Sequence, residues 1–242
     1  MQSVHIVSAY DEELKFLARK IAAMGGQAER MVEQAVAALV NGDPELGQRV
    51  IQDDALLDEA EREIDDKAIL IIARRQPMAK DLREIIGAIR ISADLERVGD
   101  LGKNVAKRVA AVSEGRQPNS LFRGLQALAE LALTQLKDVL DAYASRSVER
   151  IGFVRDRDEQ IDAMYTSLFR ELLTYMMEDP RNITPCTHLL FVAKNIERIG
   201  DHATNIAETI YYIVTGEQMP PERPKEDKSH RVTVSGEAKT GE

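Results

Sequence analysis

The chain has 242 residues, 44% hydrophobic and 5% aromatic with no Trp, so it can bury a core made chiefly of Ala, Leu, Ile and Val, a mix that suits helix packing better than a sandwich or barrel. Its 32 Lys and Arg against 41 Asp and Glu give a net charge of −9, which argues against broad contact with a nucleic-acid backbone. The single cysteine, Cys186, excludes an intramolecular disulfide, and neither a signal segment nor an apolar run of roughly 18 residues is present, so a soluble cytoplasmic protein without membrane insertion is expected.

Helical periodicity runs almost from end to end. A first helix is predicted from about Asp11 to Val40, with Ser8 and Asp11 placed as a capping box, and it stops at Asn41-Gly42. Asp43-Pro44 reads as an N-cap followed by Pro at the first helical position and opens a second helix that continues to about Arg75. Gln76-Pro77 breaks the pattern, because Pro disfavours helix in the residue before it, and a third helix follows to about Ser113. Pro118-Asn119-Ser120 opens a fourth helix, Ser145 to Ser147 marks a break, and a fifth runs to about Met177. Asp179-Pro180 closes the fifth, and a sixth extends from about Ile183 to Val214. The polar, Pro-rich text beyond Gly216 has little to bury and is expected to be a disordered tail.

Connections this short force antiparallel neighbours. The prediction is an all-α protein of two tandem three-helix bundles from an internal duplication, residues 8–114 and 118–216, with a tail over 217–242. The third and sixth helices carry the duplicated text. Both contain Glu-Arg-aliphatic-Gly-Asp-x-x-x-Asn, as Glu96, Arg97, Val98, Gly99, Asp100, Asn104 and as Glu197, Arg198, Ile199, Gly200, Asp201, Asn205, at a constant offset of 101 residues.

Duplication explains two copies of a fold, but retained polar residues need a chemical reason. Glu96, Asp100 and Asn104 are four apart and form one stripe on a helix. Asp54, Asp58, Glu61 and Asp65 form a matching stripe on the preceding helix, and the second copy keeps Asp158 and Asp162 ahead of Glu197 and Asp201. Reflection about the turns near Met78 and Arg181 sets Glu61 at the height of Glu96 and Asp162 near Asp201. Four carboxylates at that density repel, and a cation is the usual remedy. Oxygen-only ligands favour Mg, Mn, Fe or Ca over Zn. The plainer reading of any one pair is a solvated helix face. Val98, Leu101, Val105, Val109 and Val112 sit about 140° from the acids, which predicts an open site on a bundle flank.

Gly99 and Gly200 recur at one place in both copies, for close helix packing or for backbone access beside the acids. Arg97 and Arg198 are expected to pair with neighbouring acids, His202 is a candidate for the second site, and Cys186 reads as a small packing residue. Neither copy has the Glu-x-x-His of a ferritin-like di-iron protein, and there is no P-loop, dinucleotide fingerprint or nucleophile elbow. The expectation is a protein that is not an enzyme.

The duplicated frame, the opening Asp11 to Leu14 with Met24 to Gly26, and the Arg-Gln-Pro-Met-Ala turn from Arg75 to Ala79 resemble the PhoU family of phosphate-uptake regulators, over about residues 5 to 216. That resemblance implies two tandem three-helix bundles, a homodimer, and metal binding through Glu61 with Asp65, Glu96 with Asp100, Asp158 with Asp162, and Glu197 with Asp201. The ion would be divalent or iron-type, Fe, Mn, Mg or Zn. It also implies a cytoplasmic negative regulator of the phosphate-starvation response, linking the ATPase subunit of the high-affinity phosphate ABC transporter to a phosphate-sensing histidine kinase. The alternative from another class is a metal-storage or redox protein on the same bundle.

Overall fold

A computed structural model describes residues 2–113 and 119–220, and over these the chain is helical with no strand. Helix α1 is Gln2–Asn41, α2 Pro44–Arg75, α3 Ala79–Ala106, α4 the short Val109–Ser113, α5 Asn119–Ser145, α6 Gly152–Glu178 and α7 Ile183–Thr215. Single 3-10 turns at Glu149–Ile151 and Pro180–Asn182 lead into α6 and α7.

The breaks have local causes. Asp43 Oδ1 accepts from the Leu46 N–H at 2.9 Å, so the predicted N-cap before Pro44 is made. Gln76 ends α2 in the left-handed region (φ 49), its N–H returning to the Ile72 carbonyl at 3.1 Å, and Pro77 prevents continuation. Asp179 caps the turn before α7 by accepting from Arg181 N–H at 2.9 Å.

Three expectations are corrected. Helix α1 has already begun at Gln2, so Ser8 lies inside it and does not cap it. The third helix is not continuous to Ser113: at Lys107 and Arg108 the chain tightens, with Arg108 N–H bonding the Val105 carbonyl three residues back. The bend lets Val109 and Val112 turn into the core. The tail does not leave the bundle at Glu217, because Met219 packs partly buried against the core and Arg155 Nη2 donates to the Pro220 carbonyl at 2.5 Å. Residues 221–242 lie outside the described residues, as do the proposed boundaries at 114 and 118.

Helices α1, α2 and α3 pack on one another, as do α5, α6 and α7, giving two three-helix bundles in tandem. The bundles are joined broadly, α3 against α7 and α1 against α5, and their buried side chains form one continuous cluster from Leu17 to Ile213. Helices α3 and α7 run antiparallel: Arg83 meets Gly216, Gly87 faces Ile213, Asp94 meets Asn205 and Arg108 meets Phe191. That register sets Gly99 level with Gly200. These are duplicated positions, so an approximate two-fold axis crosses the seam between the two copies of the motif. Among the described residues no helix is long and apolar enough to cross a membrane.

Truncation after Pro220 should leave the thermal midpoint nearly unchanged. Truncation after Gly216 should lower it by about 1 to 3 °C, through loss of the Met219 contact and the Arg155 bond. Scanning calorimetry on both truncations checks this, and equal midpoints would show that residues 217–220 contribute nothing.

Candidate functional site

In the first bundle α2 presents Glu61 and Asp65, and α3 presents Glu96 and Asp100. The predicted register holds, since the Glu61 carboxylate is close enough to act on Glu96. The site is recessed, not open: the side chains of Glu96 and Asp100 are 15% and 28% exposed. Burial, then the neighbouring Asp100 and Glu61 carboxylates, push the Glu96 carboxyl up to about 7, and Asp100 shares a hydrogen bond with it. Burial and Asp65 likewise raise Glu61, and burial with Asp66 raises Asp65. Asp65 Oδ1 is buried without a hydrogen-bond partner.

Asp100 behaves differently. Burial works against its ionisation, but hydrogen bonds and charge from Lys103, with the Arg97 charge, outweigh that and hold it below the usual carboxylate range. Lys103 Nζ lies 2.6 Å from Asp100 Oδ1 and 2.5 Å from Asp54 Oδ2. Arg97 reaches Glu96 Oε2 at 3.4 Å and Asp100 Oδ2 at 3.3 Å, as expected for the motif arginine.

The second bundle is related but not equivalent. Asp158 and Asp162 come from α6 and Glu197 and Asp201 from α7. Glu197 and Asp162 are only 4% and 5% exposed, deeper than their counterparts. Lys194 Nζ donates to Glu197 Oε1 at 2.7 Å. Asp158 Oδ1 accepts from Thr204 Oγ1 at 3.1 Å, and Thr204 accepts in turn from Gln135 Nε2 at 3.0 Å. Thr204 stands where the first copy has Lys103, so a neutral hydroxyl replaces the ammonium that bridges the first cluster. Among the described residues no group of three or more acids, His or Cys is drawn to ligating distance.

The glycines have a packing cause. A Cβ on Gly99 would overlap Leu57 Cδ1, and one on Gly200 would stand 3.0 Å from Ile161 Cδ1 and 3.1 Å from Gln135 Oε1. Their absence lets α2 close on α3 and α6 on α7, which brings each pair of acid stripes together. Cys186 is fully buried, the packing residue expected.

Two motif expectations are corrected. His202 does not join the second acid cluster: its Nδ1 lies 2.9 Å from Asp94 Oδ1 of the first bundle, which also accepts from Asn205 Nδ2 at 3.3 Å. Arg198 makes no ion pair among the described residues, unlike Arg97. Lys103, Gln135, Thr204 and Lys194 are participants that sequence reasoning missed, and Asp54, read only as part of the acid stripe, is the carboxylate that Lys103 bridges to Asp100. The Lys-to-Thr difference inside an otherwise repeated frame was the available signal.

The PhoU domain family model matches residues 21–109 and 125–210, once in each half. The chain is 70% identical over 227 residues, 94% of its length and 96% of the relative's, to the phosphate-specific transport system accessory protein PhoU homolog of Rhizobium meliloti. It is 49% identical over 223 residues to the Caulobacter vibrioides protein of the same description, covering 92% of this chain and 97% of that one. Among solved structures, PhoU from Pseudomonas aeruginosa superposes with a TM-score of 0.81 at 38% identity, over 86% of this chain and all of that one. The phosphate transport system regulatory protein PhoU from Streptococcus pneumoniae gives 0.81 at 28% identity, over 88% of this chain and all of that one.

Glu96 holds its proton more tightly folded than unfolded, so its burial costs stability as pH rises from 4.5 through about 7. In chelator-treated protein, Glu96→Gln should therefore leave stability unchanged near pH 4 and raise it by about 1 kcal/mol at pH 8, after discounting for solvent screening. Urea unfolding at both pH values measures this. An equal change at both would place the carboxyl in an ordinary solvated setting.

Proposed function

The chain belongs to the PhoU family, and on that premise we propose that it is an accessory regulator of phosphate-specific transport, a cytoplasmic homodimer that restrains the phosphate-starvation response. The carrying observation is the 70% identity, across 94% of the chain, to a protein described as an accessory protein of the phosphate-specific transport system. In this reading the regulator links the ATPase subunit of the phosphate ABC transporter to a phosphate-sensing histidine kinase. It acts by binding, shifting each partner between states through differential affinity. The sequence and the site offer carboxylates and guanidiniums but no nucleophile paired with a base, which supports a binding role over catalysis.

We further propose that the acid clusters hold metal ions. In the first bundle the donors would be Glu61, Asp65, Glu96 and Asp100; in the second, Asp158, Asp162, Glu197 and Asp201. The fit is supported by two observations in the first cluster: Glu61 and Glu96 are raised by burial and by neighbouring carboxylates of the cluster, and Asp65, itself raised by burial and by Asp66, has its Oδ1 buried without a partner. A cation would supply the missing countercharge and satisfy that oxygen. An all-oxygen donor set suits Mg, Mn or iron better than Zn. Lys103 would have to move from Asp100 as the ion entered.

Deleting the gene should leave phosphate-starvation genes switched on in excess phosphate, read with a phosphate-responsive reporter, and restoring the gene should silence it. A reporter already silent in the deletion strain would defeat the regulatory reading and favour metal storage. Separately, Asp100→Ala with Asp201→Ala should reduce the metal recovered with protein purified without chelator by at least half, with helicity intact by circular dichroism. Unchanged metal content would place the ligands elsewhere.

A further inference from the structure

The seam between α3 and α7 carries a row of guanidiniums that the acid clusters do not account for. Asp94 points into the seam toward His202 and Asn205. At about 100° per residue, Arg90 and Arg97 are turned about 40° and 60° to one side of Asp94, and Arg108, just beyond the end of α3, reaches across to His188 and Phe191 of α7. Arg198 is turned about 40° in the same sense from His202, and because α3 and α7 are antiparallel, the same rotation brings Arg90, Arg97 and Arg198 to one side of the seam, the side on which Phe191, about 20° from His202, meets Arg108. From the level of Gly99 and Gly200, Arg97 and Arg198 lie about 3 Å to either side, and Arg90 and Arg108 about 14 Å, at 1.5 Å per residue. The row is therefore about 27 Å long and nearly symmetric about the approximate two-fold.

Its charge is largely uncommitted. Among the described residues Arg90, Arg108 and Arg198 make no ion pair, and only Arg97 reaches carboxylates of its own cluster. Arg108 instead bonds His188 Nδ1 at 3.1 Å and lies 4.3 Å from the centre of the Phe191 ring. Phe191 is 52% exposed, an aromatic ring left at the surface at one end of the row. At the other end Arg90 sits 5.9 Å from the Tyr212 ring. There it lines two adjoining hollows with Tyr212 in both: an apolar one of about 310 Å³ with Leu82 and Ile86, and a more polar one of about 370 Å³ with Glu208, Gln218 and Met219.

We propose that this face docks an acidic amphipathic helix of a partner protein, its carboxylates on Arg90 and Arg198 and its apolar side chains on Phe191 and in the apolar hollow beside Tyr212. Three considerations select that occupant. A chain of net charge −9 that leaves three guanidiniums unpaired on one face is complementary to a negatively charged segment. Arginine beside one exposed aromatic ring, Phe191, and one half-buried, Tyr212, is the composition of a binding hot spot. A continuous phosphate backbone would run into the carboxylates of Asp100, Asp201 and Glu208 that flank the row, whereas carboxylates spaced along a helix can meet each guanidinium separately. A helix of about 18 residues spans the row. The inference stands apart from the identity of the regulator's physiological partners: peptide binding can fail while the reporter response holds, and the reverse.

The test is fluorescence anisotropy with the full chain and a labelled 20-residue helical peptide of Leu, Ala and Glu, with Glu residues set eleven apart on one face to match the roughly 16 Å between Arg90 and Arg198. Arg90→Glu with Arg198→Glu should weaken binding at least tenfold, and Phe191→Ala about threefold or more. Arg74→Glu with Arg123→Glu, the same change of net charge on exposed positions of α2 and α5, should stay within twofold of wild type. Arg90→Gln with Arg198→Gln should fall between, which guards against a folding defect in the charge reversals. Equal losses in the two reversed pairs, no binding at millimolar peptide, or tighter binding of a 20-nucleotide DNA strand dependent on the same arginines would each overturn the proposal.

Discussion

Helices α3 and α7 carry the two copies of one motif and lie antiparallel against each other, with Gly99 and Gly200 level at the middle. This contact lets a duplicated chain bury what each half would otherwise expose. Val98, Leu101, Ile199 and Ala203 are all at most 3% exposed at the heart of the seam. Because the same two helices also carry Glu96, Asp100, Glu197 and Asp201, core packing and acid placement are one constraint. A helix that turned to improve one would spoil the other. The missing Cβ atoms of Gly99 and Gly200 close each acid-bearing helix pair, at the cost of about 1 kcal/mol in helix propensity at each position.

The two copies have diverged in chemistry within that shared geometry. The first cluster is half-buried and bridged by Lys103, with Glu61 and Glu96 raised by burial and by neighbouring cluster carboxylates and Asp65 by burial and Asp66. In the second, Glu197 and Asp162 are buried and Asp158 is tied through Thr204 to Gln135, a side chain with no exposure at all. Two sites built on the same frame thus differ in access and in countercharge, and an ion would enter the first more readily than the second. The arginine of the frame has diverged too, Arg97 serving its own cluster and Arg198 exposed and without an ion pair among the described residues.

Much of this could be read from the chain. Asp43-Pro44, Gln76-Pro77 and Asp179-Pro180 mark helix boundaries through caps and steric exclusion, which act within a few residues and are therefore visible locally. The Glu61–Glu96 proximity followed from reflecting one helix on the next across a short turn. What escaped was set by contacts distant in sequence. His202 looks like a ligand beside Asp201, but the antiparallel seam turns it to Asp94, 108 residues away. The bend at Lys107 and Arg108 has no Gly or Pro to announce it. Gln135 sits in an apolar stretch of α5, and only the closure of three helices makes it the partner of Thr204. The depth of Asp162 and Glu197 likewise depends on how the bundles meet.

If the seam makes one body of the two bundles, the halves must unfold together. Differential scanning calorimetry of the full chain, freed of metal, measures this most directly through the ratio of calorimetric to van't Hoff enthalpy. A single transition with a ratio near one is expected, and a fragment of residues 1–116 should show no cooperative transition comparable to that of the whole. Two resolved transitions, or a fragment that melts as cooperatively as the whole chain, would contradict the account.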